Sequence, residues 1–143
     1  MTLENLVGKS LEIIPKDTAA VERLLEASWR SLADARLSAM SNEGRFDMAY
    51  KSIMQGSNAV LQATGYRTLT SKPGHHQLMI QTLPVTMGID PLRMIVLDGL
   101  RKQRNLSDYS GDPVSESMAN EALEHAERLF SDIQDWWAVN RVT

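Results

Sequence analysis

Apolar residues along the chain recur at intervals of three and four far more than at intervals of two, the pattern of helices that bury one face. From Val21 the spacing runs through Leu24, Leu25, Ser28, Trp29, Leu32, Ala35 and Ala39, which predicts a long helix from a cap at Asp17 to about Met40. Ser41 and Asn42 offer caps for a second long helix. Its inner face reads Phe46, Ala49, Tyr50, Ile53, Ser57, Val60, Leu61 and Thr64, and Gly65 supplies its stop. A polar connection from Tyr66 to Gly74, carrying Arg67, Lys72 and Pro73, precedes a short helix from His75 to Met87 that Pro84 disturbs and Gly88 closes. Asp90-Pro91 starts the next helix, because the carboxylate caps it and the proline ring lacks an N–H where none is needed. Leu92, Ile95, Val96, Gly99 and Leu100 are expected on its buried face, and Ser110-Gly111-Asp112-Pro113 ends it near Tyr109. The last helix starts at Ser115 and buries Ala119, Ala122, Ala126, Leu129, Ile133 and Trp136. Its other face carries Glu116, Glu121, Glu124, Glu127, Asp132 and Asp135 and is read as solvated.

Alternating β-branched stretches are scarce, and no segment requires a strand. Residues 1–16 read as an N-terminal arm, with a short helix around Leu3 to Val7 broken by Gly8, and residues 17–143 as the helical domain. The expected fold class is all-α, an antiparallel up-and-down bundle of four to five helices.

Composition narrows the chemistry. A chain of 143 residues with 43% hydrophobic content suits one compact domain with one core. No stretch approaches the roughly 20 uninterrupted apolar residues that cross a bilayer, and Met1-Thr2-Leu3-Glu4-Asn5 lacks the basic start of a secretion signal. No membrane association and a cytoplasmic location are therefore expected. The absence of cysteine excludes disulfides, thiolate metal sites and cysteine nucleophiles. A net charge of −3 argues against coating nucleic acid by overall charge, yet permits a local basic patch. The eight methionines read as core filler. There is no phosphate-cradling glycine loop and no His-Glu-x-x-His. His125 follows Glu121 by four residues and Glu124 by one, so the Glu-x-x-His pairs of bundle metal sites are missing too. Neither a metal nor a cofactor is expected.

Within this acidic chain, Arg101-Lys102-Gln103-Arg104 puts three cations in four positions, followed by Asn105, Asp108 and Tyr109. Arg101, Lys102 and Arg104 are candidate phosphate-binding residues, since guanidinium groups hold phosphate oxygens with forked hydrogen bonds. Asn105 can orient one oxygen and Tyr109 can donate to another. The alternative is structural: Arg104 pairs with Asp108 at i+4, Asn105 helps end the helix and the Tyr109 ring packs inward. Gly74-His75-His76 is the second cluster, where an imidazole can act as base, acid or phosphate ligand, or can instead tie the loop to a backbone group. The adjacent Trp136 and Trp137 cannot share one helix stripe, so one of them lies near the surface or an interface, or both cap the core.

Four stretches together resemble a HEPN domain, the small helical domain named for nucleotide binding in higher eukaryotes and prokaryotes, over Thr18 to Trp137. They are Ser31-Leu32-Ala33-Asp34-Ala35-Arg36, Phe46-Asp47-Met48-Ala49-Tyr50, Gly74-His75-His76, and Leu100-Arg101-Lys102-Gln103-Arg104-Asn105 through Asp108-Tyr109. The resemblance implies a homodimer whose polar motifs face a shared cleft. It also implies a metal-independent ribonuclease of toxin-antitoxin or defence type, often paired with a nucleotidyltransferase, with an Arg and a His four to six positions further on as the active site. Arg104-Asn105 matches the first half of that motif. Tyr109 stands where the histidine is expected, and a phenol with a reference pKa of about 10 is a poor base at neutral pH. His75 or His76 would supply the imidazole if the loop folds over the motif. Two readings follow: a protein that binds nucleotide or RNA phosphate at Arg104, Asn105 and Tyr109, with Arg104, Asn105, Tyr109, His75 and His76 as catalytic candidates, or a non-catalytic dimeric member that partners or regulates a nucleotidyltransferase able to modify Tyr109. A plain helical interaction module using Trp136-Trp137 is the third.

Overall fold

The computed structural model describes residues 2–71 and 73–141. Met1 of the arm, Lys72 of the polar connection, and Val142 and Thr143 at the end of the helical domain lie outside the described residues. Six helices follow in order: α1 Thr18–Ala35, α2 Asn42–Ala63, α3 His75–Gln81, α4 Leu83–Met87, α5 Pro91–Ser110 and α6 Glu116–Asn140. The four long ones begin at side-chain caps. Asp17 accepts from the Ala20 N–H, Ser41 from Gly44, Asp90 from Leu92 and Ser115 from Met118, each satisfying a donor that the first turn leaves free.

Helix α2 is the centre of the bundle and packs against both α1 and α6. Phe46, Ile53, Val60, Leu32, Leu129 and Ile133 form the core between them, each at most 1% exposed. Two small residues set the spacing. The Ser28 hydroxyl donates to the Ser52 carbonyl at 2.8 Å across the α1–α2 contact. A Cβ on Gly56 would stand 2.9 Å from Ile133 Cδ1, so a larger residue there would have to push the buried Ile133 side chain aside. Helix α1 stops at Ala35 rather than near Met40. The N–H groups of Arg36 and Leu37 turn back to the carbonyls of Ala33 and Asp34, tightening the end, and Leu37 is exposed.

Three further expectations are corrected. The bundle carries a small antiparallel sheet, β1 Leu11–Ile13 and β2 Tyr66–Thr68, with Leu11 opposite Thr68 and Ile13 opposite Tyr66. Three-residue strands are too short to show a period of two. The sheet ties the arm to the domain, with Leu3 and Leu11 buried against Leu61 and an Arg67–Glu12 ion pair outside; ahead of β1, the short helix of the arm is a 3₁₀ turn at Glu4–Leu6. The segment from His75 to Met87 is two helices, because Pro84 sits in the first turn of α4 after a break at Thr82. Helix α5 packs on α2, α3 and α4 with a different side from the one expected, although Leu100 is buried as expected. Leu97 and Leu100 are buried, whereas Leu92 is 73% exposed, Ile95 59% and Val96 42%, and Gly99 is exposed as well. The helix carries apolar residues on two sides, and the position of its neighbours selects one.

Candidate functional site

One face of α2, the start of α3 and the second half of α5 meet around the buried Tyr50 ring. On α2, Asp47 and Tyr50 are three residues apart and so share a face. Gly74 takes a left-handed φ of 82° and turns the chain into α3. His76 then lies with its ring 6.4 Å from that of Tyr50, and His75 stands edge-on to His76 at 4.4 Å. From α5 the Arg104 guanidinium lies over the Tyr50 ring, 5.1 Å from its centroid, within cation–π range. Its Nε is 3.6 Å from Asp47 and 4.0 Å from Asp108. Neither is a hydrogen bond, and the buried Nε has no hydrogen-bond partner among the described residues.

Two recesses open from this cluster. The larger, about 500 Å³, includes Asp47, Tyr50, Lys51, His76 and Arg104 in its wall. The smaller, about 170 Å³, is formed by Tyr50, Gly74, His75, His76, Arg101 and Asn105 with Gln77. Beyond Arg104, a third hollow is acidic, lined by Glu43, Asp47, Asp108 and Asp112. Asp47 belongs to the walls of both the larger recess and this hollow, so the smaller recess, with Arg101 and the two histidines and no carboxylate in its wall, is the one that most favours an anion.

The ionisable groups follow this geometry. Burial, and then the neighbouring His75, Arg104 and Arg101, hold the His76 pKa below its ordinary 6.5, so its imidazole is neutral at pH 7. Burial pushes the Tyr50 phenol above 10, against the pull of Arg104 and Arg101. Asp47 is raised, chiefly by burial and further by Asp108 and Glu43, while Arg104 opposes the rise. Glu43 is lowered by its own backbone N–H and that of Val114, whose 3.0 Å bond pins the α5–α6 connection to the start of α2.

No protein-family model, characterised protein or solved structure matches the chain.

Of the residues singled out from sequence, Arg104, Arg101, Asn105, His75 and His76 converge on these recesses. Arg101 is oriented by a 2.7 Å bond from its Nε to the buried Asp98. Lys102 is exposed and reaches only the other Asp98 oxygen, at 3.8 Å. Tyr109 is 96% exposed and lines neither recess, so its ring is neither in the core nor beside Arg104. The Arg104–Asp108 pair at i+4 is present as the structural reading expected, with Asp47 as a closer partner. The sequence pattern places Tyr50 and Asp47 only within α2 and among the residues that resemble a HEPN domain. A polar Asp47 beside the apolar stripe is the sequence signal that marks them. Among the described residues no group of three or more His, Asp or Glu side chains is placed to hold a metal ion.

Proposed function

We propose that this chain is a HEPN-like protein that binds the phosphate of a nucleotide or of RNA where Arg104, Tyr50 and His76 meet. The observation that carries the reading is the buried Arg104 Nε, which has ion-pair neighbours but makes no hydrogen bond among the described residues, on a guanidinium that lies over Tyr50 in a recess shared with His76. A buried donor without a partner costs about 1–3 kcal/mol, and a phosphate oxygen would satisfy it with a charge-assisted bond. Arg101 and Asn105 add donors from the adjoining recess.

The same groups support RNA cleavage without a metal. The ribose 2′-hydroxyl loses its proton to the neutral His76 imidazole and its oxygen bonds to the neighbouring phosphorus. The bond to the 5′-oxygen breaks, that oxygen takes a proton from solvent, and Arg104 balances the charge that builds on the phosphoryl oxygens. His76 thus stands in for the imidazole that Tyr109 replaces in the motif. The test is cleavage of single-stranded RNA in the presence of a chelator. Products ending in 2′,3′-cyclic phosphate are expected, with loss of cleavage in Arg104→Ala and in His76→Ala. A folded Arg104→Ala variant that still binds phosphate esters as tightly as the parent would falsify the assignment.

A second reading, a dimeric partner of a nucleotidyltransferase, is favoured by the outer side of α5. Leu92, Ile95, Val96 and Leu106 are exposed there, and no atom of the described residues lies within 4 Å of where a Gly99 Cβ would be. Glycine inside a helix costs about 1 kcal/mol relative to alanine, and one copy of the chain offers no packing reason for it. A second copy crossing at Gly99 supplies one, and the open Tyr109 hydroxyl nearby is accessible to a modifying enzyme.

A further inference from the structure

The larger recess extends along α2 away from Arg104 and His76, and its far end is built differently from its phosphate end. Met48, Met54 and Met79 give it an apolar floor, and Gln55 and Asn58 stand in its wall. Three residues apart on α2, the two amides are neighbours on one face. Each already has its carbonyl oxygen engaged: Gln55 Oε1 accepts from the Ser31 hydroxyl at 2.7 Å, and Asn58 Oδ1 accepts from Gln62 Nε2 at 3.3 Å. Neither amide nitrogen makes a hydrogen bond to another described side chain. The recess therefore combines a polarizable floor, suited to the face of a flat ring, with two amide groups left to donate.

We propose that this part of the recess is a nucleobase subsite selective for oxo bases, guanine or uracil, over adenine. The inference rests on the phosphate reading above, because Arg104 and His76 anchor the phosphate end of the same ligand. The whole recess, phosphate end included, holds about 500 Å³, within the usual size range of small-ligand pockets. Guanine presents O6 and N7 as adjacent acceptors, and uracil presents carbonyl oxygens. Adenine sets its N6 amino group beside N7, so a donor meets a donor. An asparagine or glutamine normally reads adenine with its oxygen and nitrogen together; here each oxygen already accepts one bond, from Ser31 or Gln62, while both amide nitrogens are left to donate. Gln55 and Asn58 are half-buried, and a bound base that covers them leaves a donor without an acceptor when it presents the wrong edge.

The test is calorimetric titration of the intact protein at pH 7 with GMP, UMP, AMP and ribose 5-phosphate. GMP and UMP are expected to bind about tenfold more tightly than AMP, the worth of one good hydrogen bond, and Asn58→Ala is expected to bring GMP down to the AMP level. Equal affinities for the three nucleotides, a preference for AMP, or ribose 5-phosphate binding as tightly as GMP overturns the base subsite and leaves the phosphate site standing. Binding of none of the four overturns both. The comparison among ligands on the unaltered chain decides the matter even if the variant fails to fold.

Discussion

Asp47 both holds Arg104 and competes with any anion that Arg104 would bind, so Asp47→Asn separates a structural arginine from a ligand-binding one. The substitution keeps the shape of the side chain and removes a charge whose oxygen lies 3.6 Å from Arg104 Nε. Two unit charges about 4 Å apart interact by roughly 1 kcal/mol in water and about 4 kcal/mol at the effective dielectric near a protein surface. The Asp47 side chain is 44% exposed, so the screened range of about 0.2–1 kcal/mol for exposed pairs applies. Against that loss, the asparagine is free of the burial and of the Asp108 and Glu43 repulsion that push the Asp47 pKa up. The expected cost in stability is under about 1 kcal/mol. A phosphate on Arg104 would sit at a comparable distance from Asp47 and suffer repulsion of similar size, so its removal tightens anion binding by about 1 kcal/mol, roughly fivefold. Titration with ribose 5-phosphate at low and high salt, beside thermal unfolding, measures both quantities. Anion affinity that stays the same or falls in Asp47→Asn, with a large loss of stability, would refute the argument and leave Arg104 as Asp47's structural partner.

Cleavage, if His76 is the base, should rise with pH through an inflection below 6.5, because burial and nearby cations depress its folded pKa. Thermal stability has the matching sign: it is fully present above pH 6.5 and falls as pH drops through the depressed value, since the unfolded chain takes up the proton first. His76→Gln should flatten that acid limb in an unfolding series across pH 4–8, and an unchanged limb would assign it elsewhere. On α5, Leu97→Ala is expected to cost about 2–5 kcal/mol in denaturant unfolding, as a fully buried leucine. Ile95→Ser should change stability of the single chain by less than about 0.5 kcal/mol. If light scattering finds a dimer, the same Ile95→Ser should dissociate it; a dimer indifferent to Ile95 and Leu92 would use another surface.

Read as a linear pattern, the chain determines its long helices and where they begin. Spacing of threes and fours needs only neighbouring residues, and caps such as Asp17, Ser41, Asp90 and Ser115 act within one turn. It also marks Arg101, Arg104, Asn105, His75 and His76 as chemically capable groups, because residue type and local crowding of charge are visible without a fold. Tertiary structure alone decides which side of α5 is inside. Leu92, Ile95 and Val96 are as apolar as Leu97, and only the placement of α2, α3 and α4 buries Leu97 and leaves those three outside. The three-residue strands likewise exist through pairing between Leu11–Ile13 and Tyr66–Thr68, a contact across more than fifty residues. The site itself is of the same kind. Tyr50 reads as one more core residue of α2 until α3 brings His76 to one side of its ring and α5 lays Arg104 over it. Tyr109, adjacent in sequence to that arginine's helical turn, ends up in solvent because the chain between them winds past the face that the neighbours cover.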